Sequence, residues 1–89
     1  MIKLTAIEPE AGYRLLLRFS DGAWGVHDFA RIVESATPMT VPLSEPAFFR
    51  RCFIEAGALV WPNGLDFSAG SLYRWLDDAG ELHRDADAA

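Results

Sequence analysis

The chain has 89 residues, enough for one domain with a limited core, because a fold of this size buries only about 60–65% of the surface that its unfolded chain exposes. It is 51% hydrophobic and 12% aromatic with three tryptophans, a composition that excludes a disordered chain. The net charge of −5 is uneven: from Asp77 onward five acids face one base, whereas residues 1–76 hold eight acids and seven bases. A near-neutral single domain over 1–76 is therefore expected, followed by an acidic, flexible tail over 77–89. Nucleic-acid binding needs an excess of Lys and Arg over the acids, and here Lys3 is the single lysine, so that class is set aside. No apolar run approaches the ~18 residues of a membrane helix. The start, MIKLTAIEPE, lacks the apolar stretch of a signal peptide. Cys52 is the one cysteine, which rules out an internal disulfide and suits a reducing, cytoplasmic setting.

In chain order, IKLTAI over residues 2–7 alternates like a half-buried strand, and Pro9 and Gly12 interrupt it. YRLLLRF follows, with Tyr13, Leu15, Leu17 and Phe19 on one face and Arg14 and Arg18 on the other. Asp21-Gly22 is a hairpin signal, since a tight two-residue turn needs positive φ at both positions. Counted outward from that turn, Phe19 pairs with Trp24, Leu17 with Val26 and Leu15 with Asp28, which turns His27 outward with the arginines. Asp28 is placed as the N-cap of a short helix over FARIVE. Pro38 and Pro42 make the next segment a loop with at most a short edge strand. Ser44-Glu45-Pro46 then opens a helix through Phe48, Phe49 and Arg51, with Phe48 and Cys52 on its apolar stripe.

FIEAGALVW reads as a second hairpin turning at Ala56-Gly57, and Pro62-Asn63-Gly64 ends its outgoing strand. Ser68 caps a last helix with Phe67 and Leu72 as a hydrophobic staple, and Leu72, Trp75 and Leu76 give it one apolar stripe. Gly80 and the acids beyond read as a frayed end. The expected fold is α+β: a small antiparallel sheet of about four strands, built from two hairpins, packed with two or three short helices.

The stretch VWPNGLDFSAGSLYRWL (60–76) gathers aromatic, amide and carboxylate groups and so holds most of the candidate chemistry. Yet a nucleophile with a base and an orienting group is missing: His83 lies in the tail, His27 faces outward, and neither a nucleophile elbow nor a Gly-rich phosphate loop is present. The spacing of Cys52, His27, Asp28 and Asp66 does not suit a metal, and no cofactor is expected. Asp28 and Asp66 each stand at a strand-to-helix junction, where a carboxylate ordinarily bonds the local backbone, and that role is expected of Asp66. Arg14 and Arg18 form a small basic stripe, with Arg31 near it, fit for an acidic partner or for this chain's own tail. Trp61 is a candidate contact residue, although in so small a domain a tryptophan is more often core.

Phe19-Ser20-Asp21-Gly22, Asp28, Leu43-Ser44-Glu45-Pro46 with Phe48 or Phe49, Trp61-Pro62-Asn63-Gly64, Asp66, Leu72 and Tyr73 occur in that order. Over residues 2–74 this series resembles the small bacterial family called domain of unknown function 2442, and Trp-Pro-Asn-Gly-x-Asp is its most specific part. Glu45 departs from the aspartate usual there, and Gly70 and the acidic tail are departures too. The resemblance implies a compact α+β domain without an established activity. It also implies a gene often found beside that of another small family, an arrangement suggestive of a toxin–antitoxin pair. Some relatives add a helix-turn-helix; the thirteen residues after Leu76 are too few for one.

Two functions of different class follow. The first is a non-catalytic protein-interaction or regulatory module, antitoxin-like, that pairs with a neighbouring gene's product and takes no cofactor. The second is a small hydrolase or isomerase using Asp66 with Asn63 or Tyr73. Self-association as a homodimer through a sheet edge is a further expectation.

Overall fold

The computed structural model describes residues 1–84. Strands β1 (Leu4–Pro9), β2 (Arg14–Phe19), β3 (Ala23–Asp28) and β7 (His83–Arg84) form an antiparallel sheet in the order β1-β2-β3-β7. Strands β4 (Phe53–Glu55), β5 (Ala58–Val60) and β6 (Asp66–Phe67) form a second one in the order β4-β5-β6. Helices α1 (Ala30–Glu34), α2 (Pro46–Phe49) and α3 (Ala69–Asp78) complete the fold, with a 3-10 turn at Val41–Ser44. The class is α+β as expected, but the two hairpins lie in separate sheets, joined where the Leu4 amide donates to the Gly57 carbonyl at 2.9 Å. The short β6, paired with β5, has no counterpart among the expected strands.

The β2–β3 hairpin forms, but its register differs from the expected one by a residue. Arg18, not Phe19, lies opposite Trp24; Leu16 faces Val26, and Leu15 faces His27. The turn is one residue longer than Asp21-Gly22 alone. The Gly22 amide donates to the Phe19 carbonyl at 3.0 Å with Gly22 at φ +88°, and the Ala23 amide donates to Asp21 Oδ1 at 2.9 Å. Three-residue turns of this kind end on a residue with positive φ. Because side chains alternate, the slip moves all of β3 to the opposite face. Ala23, Gly25 and His27 now join Leu15, Leu17 and Phe19 on the inner side, while Trp24 and Val26 turn outward.

The physical reason for small residues inside is α3. A Cβ built on Gly25 would stand 2.7 Å from the Glu81 carbonyl oxygen and 3.0 Å from Leu76 Cδ1. A tryptophan or valine cannot occupy that side. Ser68 caps α3 as expected, its Oγ accepting the Ser71 amide at 3.1 Å. At the other end the Gly80 amide reaches the Asp77 carbonyl at 3.0 Å and the Glu81 amide reaches the Leu76 carbonyl at 2.8 Å, with Gly80 at φ +71°. This Schellman closure turns the chain back toward β3. The expected tail boundary at residue 77 is therefore corrected: α3 runs to Asp78 and His83–Arg84 pair with β3, whereas the acids at 85 and 87 lie outside the described residues.

The core is centred on Trp61, which is fully buried. Its ring lies 5.8 Å from those of Phe29 and Phe49 and 5.9 Å from that of Phe67, and Nε1 donates to the Phe49 carbonyl at 2.8 Å. Helix α2 stops at Phe49, shorter than expected. Glu45 rather than Ser44 takes the N-cap position, and Phe49, not Phe48, is the buried residue. In the hairpin of β4 and β5, Ala56 and Gly57 have φ of +52° and +80°, the double positive φ that the sequence calls for.

Replacing Gly25 by alanine is expected to lower stability by about 1–3 kcal/mol through overpacking against Leu76 and Glu81, although alanine is the better strand residue. Urea denaturation followed by tryptophan fluorescence checks it; an unchanged midpoint would show that α3 does not press on β3.

Candidate functional site

The candidate residues of the 60–76 stretch go to different places. Trp61 is core and offers no surface. Asn63 is spent on structure at both ends of its amide: Nδ2 donates to the Met39 carbonyl at 3.0 Å, and Oδ1 accepts the Leu65 amide at 3.2 Å. Together with the Gly64 amide on the Trp61 carbonyl (2.9 Å), these bonds form the turn that leads into β6. Tyr73 packs edge-on against Phe19 and donates its hydroxyl to Asp21 Oδ2 at 2.7 Å, while Arg84 Nη2 donates to the same hydroxyl at 3.3 Å. The hydrogen bond to Tyr73, then that to the Ala23 amide, holds Asp21 below the usual carboxylate range, and the same bond raises the Tyr73 phenol. This trio ties α3 and β7 to the first hairpin's turn.

Asp66 does not take the backbone role expected of it. It pairs with Val60 through its main chain, and its exposed carboxylate makes no hydrogen bond or ion pair with the described residues. No hydrogen bond joins it to Asn63 or Tyr73, which are committed to Met39 and Asp21. Arg14 and Arg18 do share a face, as expected. Arg14 Nε lies 3.6 Å from Asp28 Oδ2, and the Arg18 guanidinium sits 5.9 Å from the Trp24 ring centre. Asp28 itself accepts the Ala30 amide at 2.9 Å, one residue before the N-cap position, which Phe29 holds.

Two surfaces emerge instead. The first is the outer face of the four-stranded sheet. Across β2 and β3 it carries Arg14 beside Asp28, Leu16 beside Val26 and Arg18 beside Trp24, with the His83 ring stacked 4.4 Å from that of Trp24. Leu16 and Val26 are half-buried yet join no part of the core, because the helices send Val33, Phe49, Leu72 and Leu76 into the opposite side.

The second is a cleft of about 440 Å³ lined by His27, Asp28, Arg31, Ile32 and Trp75. The expectation of an outward, exposed His27 is corrected here. The slipped register puts the imidazole on the inner side, edge-on to Phe29 at 4.6 Å and 5.3 Å from the Trp75 ring. Pattern reading missed it because the true turn length is set by a Cβ-free contact beneath α3, which no local motif displays. Burial pushes the His27 imidazole below its ordinary value of 6.5, opposed in part by the carboxylates of Asp28 and Glu81. Burial also raises the Cys52 thiol, which leaves it a poor nucleophile. Among the described residues no three His, Cys, Asp or Glu side chains gather as metal ligands, and no helix is long and apolar enough to cross a membrane.

Since the folded state disfavours protonated His27, it binds fewer protons than the unfolded chain. Stability attributable to this group is complete above about pH 6.5 and declines as the pH falls toward the lower folded value. Thermal melts between about pH 7 and about pH 5.5 are expected to show this decline in the wild type and a flatter profile in His27→Gln. Equal slopes would mean that the imidazole is as easily charged in the fold as out of it.

Neither a curated protein nor a solved structure matches this chain. A family model does match, over residues 4–78, which span β1 to the end of α3 and include the Ser20-Asp21-Gly22 turn, the Trp61–Gly64 turn and the capped helix. The chain belongs to the family described as protein of unknown function (DUF2442).

Proposed function

We propose that this protein is a non-catalytic interaction module that docks an acidic segment of a partner protein on the outer face of its four-stranded sheet. One observation carries this reading. Arg18 stands opposite Trp24 and next to the Leu16–Val26 pair, with Ala6 of β1 on its other flank, and its guanidinium has no ion pair among the described residues. Antiparallel sheets often leave one face to water, and such faces are then polar. A cross-strand Leu–Val pair next to an Arg–Trp pair is suited to contact instead: tryptophan and arginine dominate the energetics of protein interfaces. The occupant that fits is a carboxylate flanked by apolar side chains, the carboxylate forking onto Arg18 and the apolar groups covering Leu16 and Val26.

The candidate catalytic groups point the same way. Asn63 and Tyr73 are bonded into the fold, so Asp66 lacks the companions that a hydrolase or isomerase would require of it. The gene arrangement implied by the resemblance supplies the first partner to try, and the antitoxin-like role is proposed on that ground alone.

Co-expression of the tagged chain with the protein encoded beside it is expected to yield a stoichiometric complex. Arg18→Glu should weaken that complex by roughly tenfold or more, since it replaces attraction by like-charge repulsion. Being exposed, the same change should leave the melting temperature nearly untouched. Arg31→Gln, in the cleft, should bind as wild type. A complex indifferent to Arg18→Glu would place the interface elsewhere.

A further inference from the structure

The cleft between α1 and α3 is separate from the outer sheet face and has a chemistry of its own. Its wall is Trp75, which is 36% accessible, and its indole is braced rather than loose. Phe67 meets it edge-on at 5.6 Å and His27 lies against it at 5.3 Å with the planes tilted by 32°. Behind His27 stands Phe29, which is fully buried. A braced, partly exposed indole that lines a cleft is a stacking platform, and stacking adds to area burial. The helix could have buried this side chain as it buries Leu72 and Leu76 on the same stripe; instead the indole edges the cleft.

The polar groups of the cleft are equally definite. No buried side-chain nitrogen or oxygen among the described residues lacks a partner. The half-buried His27 makes no hydrogen bond to them, so its ring nitrogens open onto the cleft's solvent. A neutral imidazole offers one donor and one acceptor there. Asp28 is already engaged, by the Ala30 amide at 2.9 Å and by Arg14 at 3.6 Å. Arg31 is exposed and makes no ion pair among the described residues, so its guanidinium is available to a ligand in the cleft it lines. The volume of about 440 Å³ lies within the range of small-molecule sites.

We infer that the cleft formed by His27, Arg31, Ile32 and Trp75 binds a small planar carboxylate, its ring stacked on the Trp75 indole and its carboxylate held by the Arg31 guanidinium. A single guanidinium forks onto one carboxylate in the plane of both groups. The Asp28 charge nearby disfavours a dianion, which sets the ligand apart from phosphate esters. Ile32 supplies apolar contact to the ring, and the imidazole of His27 can donate to the second carboxylate oxygen.

The test is nuclear magnetic resonance titration of the ¹⁵N-labelled full chain with four probes: benzoate, benzamide, cyclohexanecarboxylate and phenyl phosphate. Benzoate is expected to saturate, with shifts concentrated on the amides of residues 27–32 and on the Trp75 indole N–H. Benzamide, which lacks the charge, and cyclohexanecarboxylate, which lacks the flat ring, should each bind roughly tenfold weaker or less tightly still. Arg31→Gln, an exposed change without a partner to lose, should weaken benzoate to the level of benzamide while leaving the fold's spectrum intact. Benzamide binding as well as benzoate, cyclohexanecarboxylate matching it, or shifts spread over Arg14 and Arg18 would each overturn the inference. Phenyl phosphate binding more tightly than benzoate would overturn the carboxylate assignment, and absence of saturation by benzoate would overturn the site. The comparison among probes uses the wild-type chain, so it holds even where a Trp75 variant does not fold.

Discussion

The turn between β2 and β3 is held from several sides: the Gly22 amide returns to the Phe19 carbonyl, the Ala23 amide bonds the Asp21 carboxylate, and the Ser20 amide crosses to the Lys3 carbonyl at 2.8 Å. Tyr73 and Arg84 then close over Asp21 from α3 and β7. In a sheet the side-chain period is two, so a hairpin's loop length sets which residues face the core. Here that choice assigns Ala23 and Gly25 to the side on which α3 lies, where nothing larger fits. The same choice places Leu16, Trp24 and Val26 on the open face and His27 at the mouth of the cleft. Both surfaces thus follow from the length of this one turn; a two-residue turn would put Trp24 and Val26 inside and His27 outside.

The second anchor is Trp61, and it explains why so small a domain can hold two sheets together. Its indole meets aromatic rings from the β3–α1 junction, from α2 and from β6, and its one polar atom is satisfied by the Phe49 carbonyl. An unsatisfied indole N–H at that depth would cost about 1–3 kcal/mol, a large share of a small domain's stability. Pro62, Asn63 and Gly64 follow from this: they reverse the chain at once, so that Phe67 packs on the same tryptophan. The density of distinctive residues in the Trp-Pro-Asn-Gly-x-Asp block is therefore a folding requirement for the most part. Only the Asp66 carboxylate stands outside that scheme.

Local signals were sufficient wherever a structure is closed by near neighbours. The Ala56-Gly57 turn, the Ser68 cap with Phe67 and Leu72, and the proline opening α2 are all written within a few residues. The alternation of Leu15, Leu17 and Phe19 gave their buried face correctly as well. Legibility ended where two distant segments meet. Asp21-Gly22 marks a turn but not its length, and the deciding contact lies 56 residues away at Glu81, against Gly25. Asn63 reads as a turn residue, yet its bond to Met39 depends on how the 3-10 segment folds back. The acids after Leu76 look like a solvated tail because composition cannot show that Gly80 turns the helix end toward an unpaired strand edge. His27 was misplaced for the same reason as Trp24, since the two alternate along one strand.

Asp28 is the residue common to the two surfaces. It ends β3, accepts the Ala30 amide, pairs with Arg14 on the outer face and lines the cleft beside His27. Its link to Arg14 is an exposed pair at 3.6 Å, a kind of contact worth no more than about 1 kcal/mol. Its field at His27 is also subordinate, because burial outweighs both carboxylates in setting the imidazole's charge. Coupling between the faces through this one exposed carboxylate is consequently small beside the contacts that each face can make by itself. The sheet separates them physically: along β3, Trp24 and Val26 serve one side and His27 the other. The proposed ligand of the cleft and the proposed partner of the outer face would therefore be compatible in one molecule, since they meet opposite sides of β3.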